Sequence, residues 1–266
     1  MTFPVALTIA GSDTIAGAGI QADLKTFSAL GVYGTTVITA LTAQNTKGVS
    51  AISETPADFV KNQIDAVMSD LPVGAVKIGM TASQPIIEVI AERLSHWQAK
   101  NVVLDPVMIA TSGDRLLAEG AIEAMRTVLM PRATLVTPNL PEAAALLDEK
   151  VALTENEIAD QGRRILRFGA PAVLIKGGHG EGPSSIDYLV TAKGEVSFAA
   201  PRVHTKNVHG TGCTLSSAIA AGLAKGEGLE AAVKQAKDYV SAAIANADRL
   251  QLSNDHGPIH HFHALY

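Results

Sequence analysis

Hydrophobic residues fall either in short runs that stop at a glycine or polar group, or in longer stretches where they recur every three or four positions. Runs of the first kind occupy residues 5–10, 35–43, 75–78, 101–104, 135–137 and 172–175. Short, largely apolar and rich in β-branched residues, they predict buried strands. In the second kind, Ile20, Leu24, Phe27 and Leu30 share one face, and residues 56–70 do the same with Val60, Ile64, Val67 and Met68. Such spacing predicts helices, and 83–97, 121–129, 142–147, 154–168 and 229–250 are read the same way. The segment Thr154-x-x-Glu157 is a capping box that opens one of them. Loose alternation over 48–53 predicts an edge strand, and 188–190 with 196–199 a hairpin around Lys193-Gly194. The alternation of strand and helix predicts an α/β fold: a doubly wound, mostly parallel central sheet flanked by helices, with a small hairpin and edge extension. No repeat or linker interrupts residues 1–266, so a single domain is expected.

The stretch Asn207-Val208-His209-Gly210-Thr211-Gly212-Cys213-Thr214 stands out from this rhythm. It precedes a run of small and apolar helix formers, with Gly222 as the expected stop. A glycine turn that opens a helix presents several N–H groups in a row and forms an anion site. Cys213 follows at once, and a thiol at a helix start has its thiolate favoured. It is also the only cysteine of the chain, so no intrachain disulfide can form, which fits a reducing compartment. Hydrophobic residues make up 47% of the chain and aromatic ones only 4%, the palette of a parallel sheet wrapped in helices. A net charge of −5 argues against nucleic acid or an anionic membrane as the main partner. The first apolar run is too short to span a bilayer and lacks a basic leader, so a soluble cytoplasmic protein is expected.

Several strand ends carry chemistry. Residues 101–104 lead into Asp105, 135–137 into Asn139 and Glu142, and 172–175 into Lys176-Gly-Gly-His. In a doubly wound sheet these converge with the glycine turn on one edge. Two acids with an asparagine suit Mg²⁺ bound largely through water and ligand phosphates, and a lysine with an N–H cradle suits the phosphates themselves. That combination fits phosphoryl transfer, although no Gly-x-x-x-x-Gly-Lys-Ser/Thr loop is present. The segment Gly17-x-Gly19-x-x-Ala22 resembles a dinucleotide fingerprint, but no acid occurs between Asp23 and Glu54 to hold a ribose. Asp23 reads either as a dipole-stabilising carboxylate or as a substrate ligand facing Gln44. Thr111-Ser112-Gly113-Asp114 reads as a loop, and the crowded tail histidines His256, His260, His261 and His263 match no closed metal site. His209 is expected to be a structural hydrogen-bonder.

The glycine turn, Asn139-x-x-Glu142 and Lys176-Gly-Gly-His together resemble the ribokinase superfamily. Within it, Gly-Ser-Asp followed by Gly-Ala-Gly-Ile-Gln-Ala-Asp-Leu-Lys-Thr-Phe, then Thr-Ala-Gln-Asn-Thr and His-Gly-Thr-Gly-Cys-Thr, resemble the hydroxymethylpyrimidine and phosphomethylpyrimidine kinases. The resemblance runs from Leu7 to His263. It implies two ATP-dependent phosphorylations of 4-amino-5-hydroxymethyl-2-methylpyrimidine for thiamine diphosphate synthesis, with ATP and Mg²⁺ as cofactors and a homodimer as the assembly. It further implies that Gln44, Asp23, Gly11, Met80 and Val107 hold the pyrimidine. Gly210 and Gly212 would form the anion hole, and Cys213 stands where sugar-kinase relatives carry a catalytic aspartate. Lys176, Thr211 and Lys237 would meet the nucleotide, and Asp105, Glu142 and Asn139 the metal. The chain departs from much of the family at Thr14-Ile15-Ala16, where Pro-Ser-Gly or Thr-Ser-Gly is usual. A B6-vitamer kinase is the nearest rival; a cysteine hydrolase using Cys213 with His209 or His179, or a non-catalytic binder, are the rivals from other classes.

Overall fold

A computed structural model describes residues 3–108, 116–118, 120–179, 182–252 and 255–266. The loop expected at 111–114 lies outside the described residues. Among those described, nine strands form one sheet: β1 (Val5–Ser12), β2 (Tyr33–Asn45), β3 (Gly48–Glu54), β4 (Ala75–Ile78), β5 (Val102–Leu104), β6 (Leu135–Val136), β7 (Ala172–Ile175), β8 (Ser184–Thr191) and β9 (Gly194–Pro201). Their spatial order is β3-β2-β1-β4-β5-β6-β7-β8-β9. The six strands from β2 across to β7 are parallel, while β3 on one side and β8 and β9 on the other run antiparallel. The sequence order reverses where β1 lies between β2 and β4. Such a switch point opens a crevice at the carboxyl ends of the strands.

Two apolar layers cover the sheet. On one face pack α2 (Ala57–Met68), α3 (Gln84–His96), α4 (Ala121–Ala124), α5 (Leu140–Leu147) and α6 (Glu155–Ile165), around Ile64, Ile86, Ile90, Met125 and Leu129. On the other pack α1 (Gly19–Ala29), α7 (Thr211–Ala224) and α8 (Leu229–Ala245), around Phe27, Leu215, Ile219 and Val233. Helix α7 is wedged between α1, α8 and strands β1, β4 and β5. Every residue from Thr214 to Leu223 is buried, the condition in which a helix need not be amphipathic.

That burial explains one departure from expectation. Gly222 does not stop α7, which continues to Ala224. A side chain on Gly222 would come within 2.9 Å of the Ala232 methyl group of α8, so this glycine serves close helix packing. Similarly, the segment 121–129 is only a short helix that widens into a π-type turn over Met125–Leu129, and the last helix ends at Ala245 before a separate turn, Ala247–Leu250. The capping box at Thr154 and Glu157 forms as expected.

Candidate active site

A cavity of about 630 Å³ opens over the carboxyl ends of the parallel strands. One end is walled by Gly11, Gln44, Met80 and Val107, from β1, β2 and the segments following β4 and β5. The other is walled by Lys176, Asp187, Arg202 and Lys237. Between the two ends lie Gly210, Thr211, Gly212 and Cys213 at the start of α7, with Asp105, Asn139 and Glu142. Thirteen sequence-expected site residues are therefore gathered along one cavity; Asp23 is not among its walls.

The turn that opens α7 depends on Gly210. Its φ of 83° is left-handed, and a Cβ there would collide with the Gly17 carbonyl oxygen of the loop before α1. Thr211 Oγ1 donates to the Val208 carbonyl at 2.7 Å and closes the turn. The first N–H groups of a helix have no intrahelical acceptor, and here they face the cavity with the positive end of the macrodipole.

Beside this turn, Lys176 Nζ lies 2.6 Å from Asp105 Oδ1 and 3.8 Å from Glu142 Oε2. Thr137 Oγ1 and Ser216 Oγ donate to the same aspartate. Burial works against the charge on Lys176, but Asp105 and then Glu142 outweigh it and hold the ammonium above the ordinary lysine range. Burial pushes Glu142 up to about 7; Lys176 pulls it down and Asp105 pushes it further up. Asn139 corrects an expectation. Its side-chain oxygen accepts from the Glu142 N–H, and Glu142 Oε2 accepts from the Asn139 N–H, both at 2.8 Å. The pair is the capping box of α5. The Asn139 oxygen is thus spent on the helix, which leaves Asp105 and Glu142 of the expected metal set, and Glu142 also accepts from the Met108 N–H.

Cys213 also differs from expectation. Burial pushes its thiol up to about 11; Lys77 pulls it down, while Asp23 and Asp105 push it further up. Desolvation and two buried carboxylates outweigh the helix dipole, so the resting group at neutral pH is the thiol rather than the thiolate. A nucleophilic cysteine requires the opposite shift, and His209 spends its Nε2 on Asp13 at 2.8 Å. The cysteine-hydrolase rival has no support in this geometry. His209 is the structural hydrogen-bonder expected.

A third correction is Asp23, which does not line the cavity and is fully buried. Its carboxylate pairs with Lys77 Nζ at 2.8 Å and accepts from Thr8 Oγ1 at 2.5 Å and Ser217 Oγ at 2.6 Å. Neither oxygen is left to face Gln44. Lys77, itself fully buried, was missed, although a lysine inside the apolar strand Ala75-Val76-Lys77-Ile78 is a signal in itself. Lys237 likewise has a fixed partner: Asp187 at 2.8 Å, with Ser185 Oγ at 3.2 Å. Asp187 is held in turn by the Gly177 N–H and lies in the hairpin, where only long-range pairing reveals it.

Tail histidines serve packing. Thr214 Oγ1 and His261 Nε2 are 3.0 Å apart, and His263 Nδ1 lies 3.1 Å from the His260 carbonyl. Among the described residues no group of three or more His, Cys, Asp or Glu side chains is placed to hold a metal ion, and no helix is long and apolar enough to cross a membrane. A divalent ion at Asp105 and Glu142 would therefore depend on water and phosphate oxygens for most of its ligands, which is the habit of Mg²⁺.

With lysines and a helix-start glycine turn along one part of a continuous cavity and an apolar wall at its other end, the molecule has the build of a small-molecule kinase of the ribokinase-like class. Comparisons with known proteins narrow this. The chain belongs to the phosphomethylpyrimidine kinase family, whose profile matches residues 13–260. It is 54% identical to the hydroxymethylpyrimidine/phosphomethylpyrimidine kinase of Escherichia coli (strain K12), over 98% of both chains. Among solved structures it resembles a phosphomethylpyrimidine kinase from Clostridium difficile, with a TM-score of 0.81 and 45% identity over 91% of this chain and 99% of that one. It also resembles a pyridoxal kinase from Staphylococcus aureus in complex with AMP-PCP and pyridoxal, with a TM-score of 0.91 and 34% identity over 100% of this chain and 96% of that one.

Proposed function

We propose that this kinase transfers the γ-phosphoryl group of ATP to the hydroxymethyl group of 4-amino-5-hydroxymethyl-2-methylpyrimidine, and then a second phosphoryl group to the monophosphate formed. The supporting observation is the single cavity in which an apolar acceptor wall with one amide side chain, Gln44, meets the helix-start glycine turn and Lys176. Met80 and Val107 offer apolar contact to a flat ring, and the Gln44 carboxamide can both donate to and accept from an aminopyrimidine edge. Gly11 supports close approach: a side chain there would meet Met80 Sδ at 2.9 Å. The N–H groups at the head of α7 face the position where charge develops on the transferring group. Thr211, Lys176 and Lys237 line the phosphate and nucleotide side.

A thiol pushed up to about 11 is still a far stronger acid than a primary alcohol. Cys213 rests protonated, so only its minor thiolate form, after its own proton has left to solvent, takes the hydroxyl proton as the bond to phosphorus forms. The second acceptor is a phosphate monoester, largely ionised at neutral pH, and needs little such help. Asp105 and Glu142 fit a Mg²⁺ ion with few protein ligands, because both carboxylates face the cavity and Glu142 keeps one oxygen out of the capping box. Bound there, Mg²⁺ would neutralise phosphate charge. Lys176, already paired with both acids, would orient the phosphates beside it. The same reading includes a homodimer and a cytoplasmic location, testable by sedimentation and by cell fractionation.

The deciding experiment measures ADP release with ATP and Mg²⁺, comparing the hydroxymethylpyrimidine, its monophosphate and pyridoxal as acceptors. Turnover of both pyrimidines well above pyridoxal is expected. Pyridoxal as the best acceptor would move the protein to B6-vitamer phosphorylation, and no ADP from any of the three would overturn the reading.

A further inference from the structure

Gly-Ser-Asp at the end of β1 ends in a buried carboxylate for which the reaction itself has no use. Asp13 is 3% exposed and His209, across the cavity mouth, 6%. Asp13 Oδ2 lies 2.8 Å from His209 Nε2 and also accepts from the N–H groups of Gly17 (2.9 Å) and Ala18 (2.8 Å), while Oδ1 accepts from Ile15 N–H at 3.1 Å. One side chain therefore both folds the loop 13–19 and ties it to the residue before the glycine turn. The two loops also touch through backbone. A Cβ on Gly210 would collide with the Gly17 carbonyl oxygen, and one on Gly17 would collide with the His209 ring.

His209 is gripped from behind as well. Its N–H donates to Gly257 O at 3.0 Å and its carbonyl accepts from Ile259 N–H at 3.3 Å, so the C-terminal tail fixes its backbone. Its ring also approaches the acceptor wall, with Gln44 Nε2 3.4 Å from Nε2. At the far end of the loop, the Gly19 N–H reaches the Cys213 sulfur.

We propose that Asp13 and His209 are a positioning pair that latches the acceptor-side loop onto the anion-binding turn, holding the acceptor hydroxyl and Cys213 in register with the phosphate site. Burial opposes charge on Asp13, but the His209 hydrogen bond, the backbone donors and the imidazole's charge keep its carboxyl below the usual range. The carboxylate therefore requires the proton on Nε2, and the latch needs a donor at that atom. A displacement of about 1 Å at a reacting group can cost about a hundredfold in rate, so such a latch is read in kcat.

This inference rests on the acceptor and phosphate ends proposed above, and wild-type turnover of the pyrimidine tests that reading separately. The experiment compares His209→Leu, His209→Asn, His209→Gln, Asp13→Asn and the double variant Asp13→Asn/His209→Leu, with urea unfolding as a check on folding. Gln can carry its amide N–H near the Nε2 position, whereas Asn is too short and Leu has no donor. Expected for the first transfer is a fall in kcat of at least about tenfold in His209→Leu and His209→Asn, with recovery to within about threefold of wild type in His209→Gln and ATP KM unchanged within about twofold. The double variant should be no slower than the slower single. Equal losses in Gln, Asn and Leu, additive losses in the double variant, or a fall in stability with kcat intact would each overturn the latch. If His209→Leu does not fold, the contrast between Gln and Asn still decides.

Discussion

Removing the ammonium of Lys77 by Lys77→Met is the most demanding test of the buried contacts around Asp23. Lys77 and Asp23 are both fully buried, 2.8 Å apart, and Asp23 keeps only the hydroxyls of Thr8 and Ser217 once the lysine is gone. Burial disfavours charge on Lys77, yet Asp23 first, then Cys213 and Asp105, hold its ammonium above the ordinary lysine range. Deleting one partner of such a pair leaves an uncompensated charge and costs about 3–5 kcal/mol. For an ordinary domain stability of about 5–15 kcal/mol, that is a third or more of the total in most of the range. With an m-value of about 3 kcal/mol/M, the urea midpoint should fall by about 1–1.7 M. Combining Lys77→Met with Asp23→Asn removes both charges and leaves an amide that can still bond to Thr8 and Ser217. The double variant should recover at least about 2 kcal/mol relative to the sum of the singles. Equilibrium urea unfolding followed by circular dichroism gives all four corners of the cycle. A cost below about 1 kcal/mol for Lys77→Met, or simple additivity in the double variant, would refute the account of Asp23 as the partner of Lys77.

Two further outcomes are expected. Cys213→Ala should slow the first phosphorylation by about a hundredfold or more, the ordinary contribution of a positioned base, and the second by less than about tenfold; equal losses in separately assayed steps would make Cys213 a positioning group instead. Burial, and to a lesser degree Lys25 and neighbouring histidines, lowers His261 from 6.5 to about 3. Its native state therefore stays neutral while the unfolded chain takes up a proton, and the stability it supplies is present above about 6.5 and lost as pH falls toward 3. His261→Gln, which can keep the contact to Thr214 without titrating, should flatten the decline in urea midpoint between pH 6.5 and 4.5, a window in which one such group accounts for up to about 2.7 kcal/mol. An unchanged decline would show that other groups govern the acid limb.

Much of the architecture was legible because it rests on local pattern. The runs 75–78 and 172–175 became β4 and β7 with the expected ends, since strands buried on both faces read as near-continuous apolar runs, broken in β4 only by the paired Lys77. Strand ends carrying Asp105, Glu142, Lys176 and the glycine turn could be assigned to one edge from the order of strands and helices, because a doubly wound sheet places all its carboxyl ends together. The cavity confirms that placement.

What the sequence left open depends on contacts far apart in the chain. Asn139 and Asp23 read as ligands because residue type alone does not show whether a side chain is already satisfied. In the fold, one caps α5 and the other is sealed against a lysine 54 positions away. Cys213 stands at a helix start, which favours the thiolate, yet burial beside Asp23 and Asp105 reverses the balance. Asp13 and His209 are 196 residues apart, and only the packing of α7 against β1 and α1 brings them together. Pattern and type determined which residues could share an edge. Desolvation and hydrogen-bond partnership, which exist only once distant segments pack, decided which of them remain free to meet a substrate.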